Sequence, residues 1–281
     1  MYDDTIEDIS GAAAAQIELI QESISAYLVH SGMAGAYLGL IVAMTFLFGT
    51  AMYNTVFEPM RGFVMAAVFG GALSLVIIAG SELFTGNNMI MTVGALSGRV
   101  GASGVLRVFT WSWVGNFLGS VLVGALVWQA GVFGNPALLE TVGAAKMGRD
   151  LVPLFLRAML CNWLVCLAVW SNFQLENPVA KLIMIWWCLL AFIGSGYEHS
   201  VANMSILFLA NVLPHSAAAV SWGGMAYNLA VVTAGNVASG VIFMGAAYWY
   251  ISKSYGHTWD WSMEDNVSVN VGGSPVSAED D

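Results

Sequence analysis

Charge is what this sequence has least of. Only 9% of its 281 residues are Asp, Glu, Lys or Arg, against 58% hydrophobic residues, and few water-soluble domains reach that balance. With eight Lys and Arg in all there is no basic face, which excludes nucleic acid as a partner. Alternating apolar–polar strands of the membrane-barrel kind are missing, so the apolar material has to be helical. The three cysteines, Cys161, Cys166 and Cys188, are odd in number and lie in apolar runs. They read as small buried hydrophobes rather than as a disulfide framework or metal site. The start of the chain shows no basic n-region and no small-residue cleavage site, so no cleavable signal peptide is expected. Metal-ligand spacing, a Gly-x-Ser-x-Gly elbow and a phosphate loop are all absent, so no cofactor is expected and a membrane enzyme lacks its motifs.

What is present is long apolar runs and a mean hydropathy of +0.73. The chain reads as an all-α, polytopic membrane protein with one domain of six spans. The expected spans are residues 33–53, 62–96, 108–133, 151–170, 178–213 and 225–250. Residues 1–30 form an amphipathic segment carrying Ile17, Leu19, Ile20 and Ile24, expected to lie against the bundle or the bilayer. Residues 31–253 are the transmembrane domain. Residues 254–281 form an acidic tail, expected to be disordered.

The net charge of −10 is unevenly spread. Residues 1–30 and 254–281 carry six acids each and no Lys or Arg, while the remainder holds all eight bases and six acids. The membrane part is therefore slightly positive, which suits an anion path weakly. Arg99, Arg107, Lys181 and Lys253 fall on one face, and Arg61, Lys146 and Arg149 on the other. The positive-inside rule then places both termini in the cytoplasm.

Two apolar segments contain ionisable residues where hydrocarbon is expected. As one helix, residues 62–96 would be ~52 Å long at ~1.5 Å per residue, against a hydrocarbon core of ~30 Å. The segment must bend, and Gly80-Ser-Glu-Leu-Phe-Thr-Gly-Asn87 is the evident place. In the fifth segment Gly194-Ser-Gly-Tyr-Glu-His-Ser-Val-Ala-Asn-Met204 plays the same part. Gly194 and Gly196 precede Glu198 and His199, so a break there frees backbone groups to meet a solute.

Two signals occur twice. Glu82-Leu-Phe-Thr-Gly-Asn87 and Glu198-His-Ser-Val-Ala-Asn203 share Glu-x-x-x-x-Asn. Gly115-Asn-Phe-Leu-Gly119 and Gly235-Asn-Val-Ala-Ser-Gly240 follow at offsets of 116 and 120 positions. With three spans per half, the second copy enters the membrane upside down, and inverted repeats place their broken helices about a central path.

For His199 the bland reading is a histidine bonded inside a bundle. The functional one is a proton donor to a permeating anion, since imidazole titrates near neutral pH. A small anion that gains a proton at the midplane avoids most of the cost of a bare charge in hydrocarbon. Thr85 is either a loop hydroxyl bonded to backbone or, if the repeat holds, the partner of one His199 ring nitrogen. Glu82 and Glu198 read first as acceptors for freed backbone N–H groups and second as part of the path. Asn116, Asn162 and Asn236 line a path or pack between helices. Lys146 is a loop lysine in water or a vestibule charge that gathers anions. Phe69, Leu73, Leu83, Phe84 and Phe192 are by default core or lipid-facing residues.

Several stretches resemble the formate/nitrite transporter family: Ala79-Gly-Ser-Glu-Leu-Phe-Thr-Gly86, Leu160-Cys-Asn-Trp-Leu-Val-Cys-Leu-Ala-Val-Trp170, Gly196-Tyr-Glu-His-Ser-Val-Ala-Asn-Met204 and Thr233-Ala-Gly-Asn236. Met33-Ala-Gly-Ala-Tyr37, Ile185-Trp-Trp-Cys-Leu-Leu-Ala-Phe192 and Val241-Ile-Phe-Met-Gly245 look most like its nitrite branch, as does Glu82 where the formate branch tends to have Asp. The resemblance implies an aquaporin-like homopentamer in the cell inner membrane with a pore in each protomer. Nitrite is the implied solute, with formate and hydrosulfide as alternatives. It implies that His199 is the central histidine and Thr85 its partner. Asn162 and Asn236 would be pore-side asparagines and Lys146 the vestibule lysine. Phe69 and Phe192 would form an outer constriction, and Leu73, Leu83 and Phe84 an inner one. An aquaporin proper would need Asn-Pro-Ala on both half-helices. Here it occurs once, at Asn135-Pro-Ala137, in the middle connection.

Overall fold

The computed structural model describes residues 2–255, and among these every regular element is helical. Helix α1 (Asp3–Glu22) turns Ile6, Ile9, Ala13 and Ile20 inward and leaves Asp8 and Glu18 exposed. It lies on protein rather than apart from it. The Gln16 side-chain amide donates to Asn87 Oδ1 at 2.9 Å, Arg99 pairs with Glu7 at 2.8 Å, and Ser252 donates to Asp3 at 2.7 Å. Ser23 is extended, and its hydroxyl accepts from the Ala26 N–H at 3.2 Å, capping α2 (Ile24–Met52). A cap of this kind ends one helix and starts the next. The amphipathic stretch therefore stops at Ser23, and the first span begins nine residues earlier than the expected 33–53, at Ile24.

The second apolar segment is α3 (Glu58–Phe69), α4 (Gly71–Ile78) and α5 (Phe84–Leu96). Then come α6 (Ala102–Gln129), α7 (Ala137–Met147), α8 (Leu151–Gln174), α9 (Pro178–Gly194) and α10 (Ser200–Val212). Helix α11 (Trp222–Ser239) continues through a π-helical stretch, Gly240–Ala246, into α12 (Ala247–Tyr255). Five of these runs are long and apolar enough to cross a membrane, namely Ile24–Met52, Glu58–Ile78, Ala102–Gln129, Leu151–Gln174 and Trp222–Ser254. Two shorter apolar helices, Pro178–Gly194 and Ser200–Val212, make up the fifth expected segment. The middle connection, 134–150, contains α7. The acidic tail expected from residue 254 lies outside the described residues apart from its first two positions, which end α12.

The chain breaks between α4 and α5 and between α9 and α10. Each break contains a glycine in the left-handed region, Gly80 at φ +71° and Gly196 at φ +66°, where other residues are strained. Gly194, expected to share that role, stays helical as the last residue of α9.

Polarity is inverted relative to a soluble protein. Phe48, Leu122, Leu126, Trp163 and Trp187 are exposed, while Asn116, Asn162 and Asn236 are fully buried. An outer surface of this kind needs hydrocarbon or another apolar surface against it. Helices α2 and α6 approach closely at small residues. A Cβ on Gly119 would overlap the Gly32 carbonyl, and one on Gly35 would overlap the backbone of Asn116. Backbone cannot step aside as a side chain can. Gly119→Val is therefore expected to destabilise the bundle by about 1–3 kcal/mol, read as a lower melting temperature in detergent. A substitution at Gly62, where a Cβ meets nothing within 4 Å, is the control.

Candidate functional site

The two breaks are held by one device used twice. Asn116 on α6 accepts from the Phe84 N–H at 2.9 Å and donates to the Glu82 carbonyl at 2.9 Å and to the Ser31 carbonyl on α2 at 2.7 Å. Asn236 on α11 accepts from the Ser200 N–H at 2.9 Å and donates to the Glu198 carbonyl at 3.0 Å and to the Ala158 carbonyl on α8 at 2.8 Å. In both, one amide spans the backbone two residues apart at the start of a half-helix. The Glu-x-x-x-x-Asn motifs also close alike: Asn87 donates to Glu82 Oε2 at 3.1 Å and Asn203 to Glu198 Oε2 at 2.7 Å. Unpaired backbone at such depth costs free energy comparable to a lost hydrogen bond, and side-chain amides offer both a donor and an acceptor.

These clamps put Leu83 and His199 at equivalent positions, each the residue before a half-helix. His199 caps its own helix, with Nδ1 accepting from the Ala202 N–H at 3.1 Å. That bond assigns the ring proton to Nε2, which lies 3.0 Å from Thr85 Oγ1 and donates to it. Thr85 is fully buried and His199 is 4% exposed. The imidazole lies nearly parallel to Phe192, with centroids 5.8 Å apart, and Phe192 meets Phe69 edge-on at 5.8 Å.

Three cavities share walls here. A central one of about 10 Å³, room for about one water, is lined by His199, Phe69, Phe192, Leu73, Leu83 and Leu38, among others. Phe69 also lines a larger cavity of about 290 Å³ together with Lys146, Arg61 and Tyr197. Leu73 and Leu83 also line a third, of about 280 Å³, together with Glu82, Gln16 and Asn172.

The remaining sequence-predicted residues fall as follows. Lys146 sits on α7 with 15% of its side chain exposed, paired with Glu198 at 2.7 Å. Glu198, expected along the path, lines none of the three cavities. Its side chain is 2% exposed, with Arg149 4.0 Å away on the other carboxylate oxygen. Its position behind Lys146 follows from the turn of the chain after Gly196. Asn162 is also withdrawn: it donates to Thr85 O at 3.3 Å, Asn88 Oδ1 at 3.1 Å and Asn236 O at 2.7 Å. Asn236 itself is consumed by its clamp. Phe84, expected at the inner constriction, points elsewhere. As the first residue of α5 it turns toward α6, meets Phe109 edge-on at 5.9 Å and lines a lateral groove with Trp113 and Leu229. Leu38, Val165 and Leu189 line the central cavity without having been anticipated, because an apolar residue on a path looks like any other in a span. Arg61, counted in the sequence only toward orientation, walls the Lys146-side cavity.

Residues 3–250 match the profile of the formate/nitrite transporter family. The chain is 44% identical over 253 residues to the nitrite transporter NirC of Salmonella typhimurium, covering 89% of this chain and 92% of that one. Among solved structures, a channel described as an FNT family ion channel superposes with a TM-score of 0.84 at 42% identity, covering 89% of this chain and 99% of that one. A pentameric formate channel with formate bound shares the fold, with a TM-score of 0.71 at 23% identity over 83% of this chain and 99% of that one. The apolar helices, the two breaks and these likenesses together place the chain in the formate/nitrite transporter family.

Proposed function

We propose that this protein carries nitrite across the membrane through a path within each protomer. The path runs from the Lys146 cavity past Phe69 and Phe192 to His199 and Thr85, then past Leu73 and Leu83 to the Glu82 cavity. The observation that carries the reading is the row of three cavities sharing walls, with a buried imidazole–hydroxyl pair in the middle one. Nitrite is the proposed solute because the 44% identical relative is a nitrite transporter. Formate and hydrosulfide, also weak-acid monoanions, are the competitors to test.

The matched clamps of Asn116 and Asn236 support six spans in two inverted repeats with an aquaporin-like course. The bond between α1 and α12 supports both termini on one side, and the charge distribution supports the cytoplasm for that side and the inner membrane as the location. The exposed apolar surface supports burial by lipid and by other protomers, in a pentamer like that of the formate channel.

The chemistry proposed at the centre follows from the tautomer. With Nε2–H donated to Thr85, the threonine hydroxyl proton is free to point at a guest. A neutral imidazole cannot give up its last proton at ordinary pH, so the ring must first become the cation. That requires a proton on Nδ1 and release of the Ala202 N–H. A nearby anion favours the cation. The proton on Nδ1 comes from water in the cavities. The Thr85 hydroxyl then gives its own proton to the anion and takes Nε2–H from the ring, yielding a neutral acid and a neutral ring protonated on Nδ1. The ring recovers its cap once that proton is exchanged back to Nε2 through water. The apolar collars then pass the neutral acid far more readily than the ion.

Proteoliposomes are expected to take up nitrite faster than protein-free vesicles, and faster still when the source side goes from about pH 7.5 to about pH 5.5, the range where imidazole titrates. Formate and hydrosulfide in the same assay rank the solutes. Equal nitrite uptake with and without protein contradicts the reading.

A further inference from the structure

The two larger cavities differ in the charge on their walls. The Lys146-side cavity is walled by two cations, Lys146 and Arg61, whose acids Glu198 and Glu58 pair with them at 2.7 and 2.8 Å and do not line it. The opposite cavity is lined by one ionisable residue, Glu82, and by no Lys, Arg or His. Glu82 is the repeat counterpart of Glu198, and both accept from an asparagine five residues on. Yet among the described residues no Lys or Arg pairs with Glu82, whereas Lys146 pairs with Glu198. The groups facing Glu82 from the packed elements are Tyr27 and His30 on α2, Gln16 on α1 through Asn87, and Asn116 on α6 through the Glu82 carbonyl. The His30 Nε2 lies against the Gly80 carbonyl in the same break.

An anion can therefore approach from one side along cations and from the other only past a carboxyl group. We propose that Glu82 sets the proton dependence of the mouth on its own side. The ionised carboxylate repels an arriving anion, and the protonated acid admits it. This rests on the anion path proposed above and adds to it a sidedness that the central histidine, common to both directions, does not provide. The proton exchanges between the Glu82 carboxyl and the water of the cavity, and no covalent bond to the solute is involved.

The test uses the full chain in proteoliposomes carrying about one assembly each, sorted by a tag at the carboxyl end. The last described helix, α12, reaches the Glu82 side, where Ser252 bonds Asp3 of α1 and α1 lines the Glu82 cavity. Nitrite uptake is measured while the external pH alone is raised from about 5.5 to about 8, with the internal pH held fixed. Vesicles with the Glu82 side outward are expected to lose about tenfold more uptake than those with the Lys146 side outward, the scale of one unit charge at short range in a partly wet site. In Glu82→Gln the two orientations are expected to respond alike, with uptake at high pH restored, while Glu82→Asp keeps the difference. His30→Lys is expected to shrink the difference by holding a cation beside Glu82, and it carries the test alone if Glu82→Gln fails to assemble. An orientation difference unchanged in Glu82→Gln, or in His30→Lys where that variant stands alone, overturns the assignment while leaving nitrite conduction intact. Wild-type vesicles that pass no nitrite in either orientation overturn both.

Discussion

Lys146→Ala is expected to cost about 3–5 kcal/mol of stability, because it strands the Glu198 carboxylate in a buried site. Glu198 is 2% exposed, and its remaining partners are the Asn203 amide at 2.7 Å and Arg149 at 4.0 Å. Neither replaces an ammonium at 2.7 Å. The same substitution removes a cation from the cavity wall, so the half-saturating nitrite concentration is expected to rise as well. The two effects separate in the double variant Lys146→Met, Glu198→Gln. That pair keeps volume and removes the stranded charge, so stability is expected to return while weak capture persists. Thermal unfolding in detergent and concentration-dependent uptake in liposomes check the two halves. A Lys146→Ala protein as stable as wild type would mean that water or Arg149 already neutralises Glu198.

Asn116→Leu and Asn236→Leu are expected to be comparably damaging. Each loses one accepted and two donated hydrogen bonds, and each leaves the N–H and carbonyl of a helix break without that partner. A buried polar group left unpaired costs about 1–3 kcal/mol, so each variant is expected to lose about 2–6 kcal/mol. The informative result is their similarity, since the clamps differ in sequence context but not in geometry. Ser120→Ala serves as a control on α6, because its hydroxyl makes one long bond, 3.3 Å, to the Gly35 carbonyl. If one asparagine variant unfolds and the other is unaffected, the halves are not equivalent in the way the bonds indicate. Melting temperatures of the purified variants decide this.

Much of this site was legible in the residues because chemistry at membrane depth is sparse. An acid, an imidazole and an asparagine stand out against Leu, Val and Ile, and their repetition at offsets of 116 and 120 located both breaks and both clamping helices. The bond between Thr85 and His199 followed from pairing those halves. What the letters could not convey was direction. Asn162 and Asn236 were candidates for the path, but at a break the backbone claims side-chain amides first. Glu198 was read first as an acceptor for freed backbone N–H groups and second as part of the path. Its carboxylate instead accepts from Lys146 and the Asn203 side chain, while the neighbouring His199 ring faces Phe192. Phe84 and Leu83 were grouped together, but Leu83 is the extended residue before α5 and lines two cavities, while Phe84 begins the helix and faces Phe109. Apolar lining such as Leu38 and Val165 had no signal at all. The end of α1 was missed because Ser23 as a cap is a local event inside a longer amphipathic pattern.

The central claim is that the imidazole of His199 lends a proton to the anion in passage. His199→Asn isolates it, since Asn is a good helix cap and can accept from the Ala202 N–H in place of Nδ1, keeping the break folded without a titrating ring. The decisive measurement is nitrite uptake by wild-type and His199→Asn proteoliposomes at matched protein content from about pH 5.5 to about pH 8, across the imidazole range. The expected result, with the Lys146 side outward so that the Glu82 mouth does not contribute, is a steep rise toward acid in the wild type and a nearly flat profile in the variant. The contradicting result is a folded His199→Asn protein whose uptake climbs with acidity as steeply as the wild type's.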